Sequence, residues 1–197
     1  MPPAICYKQI MTIMSSHHSG TRERELKVID TVAAKSEDEA FLFQLYSLSR
    51  QDELQSWNWG LAEQEQFLHM QWRAQTMSYA ASYPGANRMI VRKNGVPVGQ
   101  MYVFEKGSEW VLIDISLLPE YRNQGIGTSL ILDLQHQANR AGARIHLSVL
   151  PMNRATNLYQ KLDFFPVHST GLHQLMEWHA SKTSKSEPKF NEVRTNE

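Results

Sequence analysis

Residues 26–32 carry β-branched Val28, Ile29, Thr31 and Val32 in partial alternation with polar positions, which predicts a strand. Ser36 to Glu39 then precede the apolar run 40–43, the signature of a helix start. Ser36 stands as the cap and Glu39 at the reciprocal capping-box position. That helix is expected to run to about Leu48. Leu61, Leu68, Trp72, Thr76, Tyr79 and Tyr83 recur at helical spacing and predict a second helix over 61–79 or a little beyond, stopped by Pro84-Gly85. The period then drops to two. Residues 88–92, 96–104 and 110–117 read as three strands joined by Asn94-Gly95 and by Lys106-Gly107-Ser108, an antiparallel meander. The second half alternates: a helix at 125–141 with Leu130, Ile131, Leu134 and Ala138 inward, a strand at 143–150, a helix at 154–162, and strands at 164–168 and 172–178. The predicted class is α/β: a mixed antiparallel and parallel central sheet with flanking helices.

Composition narrows the picture without redirecting it. The chain has 197 residues, 42% of them apolar, enough for one real core. Residues 1–25 read as a flexible leader and 181–197 as a polar, disordered tail, leaving a folded body at 26–180. Twenty basic side chains balance twenty acidic ones, so neither nucleic acid nor a membrane surface is an expected partner. A single cysteine, Cys6, excludes an internal disulfide framework and a multi-thiolate zinc site. His17 and His18 lie beside serine and glycine and read as solvated, so no metal is expected. No apolar run reaches membrane-spanning length, and Lys8, Gln9 and Thr12 interrupt the only N-terminal apolar stretch. The expected location is cytoplasmic; a homodimer is left open.

The segment with the most chemical content runs from Leu117 to Thr128 and joins a strand to a helix. Gly125 and Gly127, one residue apart, allow close backbone approach to a ligand. The first amides of the following helix lack internal partners and favour an anion, and Arg122 adds positive charge. A pyrophosphate suits this arrangement. The dinucleotide fingerprint fails, because its third glycine position holds Leu130. The mononucleotide loop, which needs Gly-Lys-Ser/Thr, is absent. A plain glycine-containing helix start remains the competing reading of this segment by itself.

Arg122-Asn123-Gln124-Gly125-Ile126-Gly127 resembles the Arg/Gln-x-x-Gly-x-Gly/Ala loop of the GNAT N-acetyltransferase superfamily. Downstream, residues 153–164 are similar to that family's Asn-x-Ala-x-x-Leu-Tyr-x-Lys/Arg-x-Gly-Phe segment, with Asp163 in place of the glycine. The resemblance covers about 26–180. It implies a sheet splayed between its fourth and fifth strands, 110–117 and 144–150, with acetyl-CoA in the cleft. By the same resemblance, backbone groups of Ile115, Ser116 and Leu117 would pair with the pantetheine arm. The amides of Asn123, Gln124, Gly125, Ile126, Gly127 and Thr128, beside Arg122, would hold the pyrophosphate. Asn153 would contact the coenzyme and Tyr159 would face its sulfur.

The implied reaction is acetyl transfer from acetyl-CoA to a primary amine of a small molecule or peptide, by direct attack in a ternary complex. Tyr159 is the candidate acid for the leaving thiolate. Asp114 is the candidate base: a carboxylate within the apolar run 111–117 is costly without a partner, and desolvation would raise its pKa. Its alternative is a structural carboxylate bonded to backbone amides or to side chains of the second helix. The glutamate that other relatives place near 148–150 is absent, since Ser148, Val149 and Leu150 stand there. Glu109 and His146 are weaker candidates, read as strand-face residues. Asp163 is expected to take a left-handed cap. Trp57 and Trp59 fall where the family builds its acceptor-side wall and are the candidate substrate contacts. A catalytically inactive acyl-CoA-binding sensor or interaction module would share the loop and is the competing function.

Overall fold

The computed structural model describes residues 28–55 and 59–180. The leader and tail readings and Trp57 lie outside these residues. Seven strands form one sheet in the order β1-β2-β3-β4-β5-β7-β6. These are β1 (Ile29–Ala33), β2 (Asn87–Lys93), β3 (Val96–Lys106), β4 (Glu109–Leu117), β5 (Arg144–Val149), β6 (Phe165–Thr170) and β7 (His173–Trp178). All neighbours pair antiparallel except β4 and β5, which are parallel. The mixed sheet predicted from the hydrophobic pattern is the observed one.

Helices α1 (Glu39–Gln55) and α2 (Leu61–Ser82) lie over one face of the sheet, and α3 (Ile126–Ala141) and α4 (Ala155–Lys161) over the other. Ile126, Leu130, Ile131, Leu134 and Ala138 of α3 pack on Val91, Met101, Val103, Leu112, Ile145 and Leu147. On the opposite face Leu42, Tyr46 and Trp72 pack on Ile90. The Asn94-Gly95 turn has both residues at positive φ, 53° and 78°, as a two-residue hairpin of this hand requires.

Three details differ from the expectation. The carboxylate that receives a backbone N–H at the start of the first helix is Asp38, from Lys35 at 2.8 Å, in a 3₁₀ turn (Ser36–Asp38) that precedes α1. Glu39 is thus the first α-helical residue and not the reciprocal cap. α1 also runs to Gln55, past Leu48, because Leu54 is buried; inside it Ser47 and Ser49 donate their hydroxyls to Phe43 O and Tyr46 O. Leu61, placed on the apolar face of α2 by its spacing, is 86% exposed; the buried stripe begins at Leu68.

Two irregularities shape the middle of the sheet. β5 accompanies β4 only from Glu109 to Leu112, so the following half of β4 has no strand on that side. At the same point the β3 register steps from Val103↔Leu112 to Tyr102↔Asp114, leaving Ile113 as an extra, bulged residue. Past the bulge, Asp114 and Ser116 face α1 and α2, while Ile115 and Leu117 face α3. No helix among the described residues is long and apolar enough to cross a membrane.

Candidate active site

β4 ends at Leu117, whose successor Leu118 donates its N–H to Val98 O at 2.9 Å. Antiparallel alternation therefore turns the backbone groups of Ile115 and Leu117 away from β3, toward the side that β5 has left. The carbonyl of Leu117 accepts from Arg122 Nε at 2.9 Å, which leaves the Ile115 carbonyl and the Leu117 amide as an open strand edge, while the Ile115 amide serves the Asp114 carboxylate. A short 3₁₀ turn (Pro119–Tyr121) leads into the loop. Asn123 then takes φ 58° and Gly125 φ 82°, both left-handed, before α3 begins at Ile126.

This backbone path has a definite electrostatic result. The first intrahelical donor is Ser129, to Gly125 O at 3.0 Å. The six amides from Asn123 to Thr128 donate to no oxygen of any described residue. Successive amides with left-handed residues among them form an anion-binding nest, here continuous with a helix N-terminus. A Cβ added to Gly127 would meet only Leu158 Cδ2, at an ordinary 3.6 Å, so protein packing gives no reason for glycine there. The side chain of Gln124 turns away, accepting from Lys93 Nζ at 2.6 Å and donating to Glu120 O at 2.6 Å. It thereby brings Lys93 beside the loop.

Asn153 accepts the Ala155 N–H at 2.9 Å on its Oδ1 and so starts α4, keeping its own side-chain amide uncommitted. α4 carries Tyr159, which is 7% exposed with its ring edge-on to Phe164 at 5.8 Å. Its hydroxyl bonds to no described residue. Burial, with a smaller contribution from the charge of Asp114, pushes the phenol up to about 12. Asp163 follows with φ 62°, the left-handed conformation expected of it.

Asp114 is half-buried, and desolvation raises its carboxyl above the usual range against the opposing pull of Arg88, Gln100, Ser116 and the Ile115 backbone amide. Gln100, itself only 4% exposed, donates its amide to Asp114 Oδ2 in a short hydrogen bond, and Ser116 Oγ lies 3.5 Å from the same oxygen. Arg88, Tyr102 and Asp114 stand in one row across β2, β3 and β4. The Arg88 guanidinium carbon sits 4.9 Å from the Trp72 ring and 5.1 Å from that of Tyr102.

The other candidates separate from this centre. Trp59 is 42% exposed, edge-on to Phe67 at 5.4 Å. It lines an open groove of about 1100 Å³ whose walls come from α2 and the segment just before it, with no residue of β4, the loop or α4. Glu109 is bonded to His146 at 2.5 Å and to Arg144 at 2.6 Å, a charge cluster on the sheet face that holds the Glu109 carboxyl below its ordinary range. Arg88, Gln100 and Lys93 were not singled out from the sequence. For Arg88 a signal existed: period two places it on the face of Ile90, which is buried. Among the described residues no group of His, Cys, Asp or Glu is arranged to hold a metal ion.

The comparisons with known proteins agree with this geometry. The family model described as the acetyltransferase (GNAT) family matches residues 42–164. No curated protein matches the sequence. Among solved structures, the PaiA N-acetyltransferase from Thermoplasma acidophilum, crystallised in complex with coenzyme A, superposes with a TM-score of 0.61 at 17% identity, over 78% of this chain and 99% of that one. The ribosomal-protein-S18-alanine N-acetyltransferase from Escherichia coli gives 0.55 at 17%, over 81% and 99%. An acetyltransferase from Thermus thermophilus gives 0.55 at 16%, over 77% and 97%. At these identities the structural likeness speaks for the fold. The family model spans more than half of the chain, and the protein belongs to the GNAT family of acetyltransferases.

Proposed function

We propose that the protein is an N-acetyltransferase that binds acetyl-CoA and a primary amine together and passes the acetyl group directly between them. The observation that carries this reading is the run of six unpartnered amides, Asn123 to Thr128, at the open end of the β4–β5 split. They suit a pyrophosphate, with Arg122 and Lys93 adding positive charge alongside. The free β4 edge at Ile115 to Leu117 suits an extended amide-bearing arm, and the free side-chain amide of Asn153 offers a further donor. Acetyl-CoA supplies an acetyl carbonyl activated as a thioester, so that the amine nitrogen gains a bond to carbon as the carbon–sulfur bond breaks. The chain's own part is proton management. Asp114, with its raised affinity for a proton, takes the one that the amine gives up. Tyr159, protonated at every physiological pH, donates a hydrogen bond where negative charge collects on sulfur.

Two measurements test this. Calorimetric titration with acetyl-CoA reports the loop, and release of free thiol in the presence of an amine panel reports the transfer. Binding with turnover of at least one amine is the expected result. Binding without turnover of any amine would favour the silent acyl-CoA-binding module, and no binding would remove the loop from the site.

A further inference from the structure

A guanidinium carries five N–H donors and no acceptor. Arg92 spends its donors on Asp30, at 2.9 Å twice; Arg144 spends its own on Glu109 at 2.6 Å, and Arg122 on Leu117 O at 2.9 Å. The side chains of Arg73, Arg140 and Arg154 bond to no described residue either but are exposed to water. Arg88 combines the two conditions: it makes no hydrogen bond or ion pair with any described residue, and its Nε is sealed from solvent without a partner. Its burial depresses the basicity of the group, against the opposing charges of Asp114 and Glu39, neither of which it touches. The Trp72 and Tyr102 rings attract its charge, but ring faces do not accept in-plane N–H groups.

The same patch leaves a complementary demand unmet. Gln100 Oε1 is buried with no donor, while the amide of that side chain is committed to Asp114. Thr76 Oγ1, on α2, is likewise buried and unpartnered. Arg88 and Asp114 stand two strand spacings apart, about 10 Å between backbones, with Tyr102 between them. One end of the patch lacks an acceptor in contact with its guanidinium; the other holds a carbonyl oxygen without a donor.

We propose that Arg88 is the specificity residue for the acceptor, and that the acceptor is a small amine bearing a carboxylate within a few bonds: a free amino acid or a close analogue. The carboxylate pairs bidentately with the Arg88 fork. The amine lies toward Gln100 Oε1 and Asp114, where its proton is taken. The proposal rests on the acetyltransferase reading and narrows it, because a peptide N-terminus presents an amide where Arg88 seeks a charge.

The test compares free amino acids, β-alanine and γ-aminobutyrate with their carboxamides, by thiol release and by calorimetric titration of the amine alone. At least one carboxylate acceptor is expected to exceed its carboxamide by 10-fold or more in kcat/KM. In Arg88→Gln the KM for that acceptor should rise 10- to 100-fold while the KM for its carboxamide and the acetyl-CoA affinity stay put; any change in kcat that reaches Asp114 through the lost charge should be shared by acid and amide alike. Arg88→Lys keeps the charge and loses the fork, so it should recover only part of the discrimination. Equal use of acids and amides by the wild-type protein, a preference for phosphoethanolamine, or failure of every carboxylate to bind or react would overturn the proposal; none of these needs a variant that folds. Failure of acetyl-CoA to bind would instead sink the acetyltransferase reading, and the Arg88-dependent binding of a carboxylate would stand or fall by its own titration.

Discussion

Tyr159→Phe removes one oxygen from a residue whose ring packs edge-on against Phe164. The hydroxyl bonds to no described residue, so stability should move by no more than about 0.5 kcal/mol. The catalytic effect follows from the phenol's position near 12. A thiol of pKa about 8.5 lies roughly 3.5 units lower, so complete proton transfer to the thiolate is uphill by about 5 kcal/mol. The hydroxyl therefore acts as a hydrogen-bond donor to sulfur as charge develops there. Such charge-assisted bonds contribute about 1.5–3 kcal/mol, or roughly 10- to 150-fold in kcat. The KM for acetyl-CoA should change little, since the interaction strengthens only in the transition state. Steady-state thiol release from pH 6 to 10, with a melting curve on the same sample, makes the measurement. Burial disfavours the phenolate, so ionisation of Tyr159 contributes no basic limb in that range. A phenylalanine variant that matches wild type from pH 6 to 9 would refute the donor role. A basic limb near pH 10 that disappears in the variant would refute the argument from burial.

Gly127→Ala places its methyl at an ordinary distance from Leu158 and favours helix by up to about 1 kcal/mol, so Tm should hold or rise; acetyl-CoA affinity should nevertheless fall 10-fold or more by calorimetry, and an unchanged Kd would show that the backbone there stays clear of the ligand. Asp114→Asn should cost kcat/KM at neutral pH and abolish its acidic limb. Because folding raises this carboxyl, its ionised form opposes folding: the penalty is absent below the unfolded value of 3.8 and present once pH has risen through the folded one. The variant should thus melt higher than wild type at pH 8, with the gap closing toward pH 4, and a gap independent of pH would contradict the desolvation. Gly99→Ala drives a Cβ into the Ser116 carbonyl oxygen and the Leu117 side chain across β3 and β4, and should destabilise by about 1–3 kcal/mol in a denaturant melt.

Much of this architecture was legible because its signals are local. Asn94-Gly95 names its own turn, and Leu130, Ile131, Leu134 and Ala138 define one face of α3 without reference to any neighbour. The glycine pair and Arg122 marked the loop for the same reason. Errors arose where two local signals compete. Asp38 and Glu39 both suit a cap, and only the 3₁₀ turn decides between them. The polar run after Leu48 reads as a helix end until Leu54 finds the core. The row of Arg88, Tyr102 and Asp114 was hidden for a different reason. It exists through the register of three strands, and no spacing along the chain encodes which residues the pairing sets side by side.

The extra residue at Ile113 works as a change of phase. Up to Leu112, one parity of β4 serves the interior beneath α3; after it the parities exchange duties, and the acid arrives on the face that holds Arg88 and Gln100. Removing residue 113 would restore an unbroken ladder and keep Asp114 opposite Tyr102. Pairing Ile113 itself with Tyr102 would instead slip the whole remainder of the strand: the isoleucine would take the acid's post, Asp114 would point among hydrocarbons, and the loop's approach would be displaced by one residue's rise, about 3.3 Å. Function here hangs on a count as much as on chemistry.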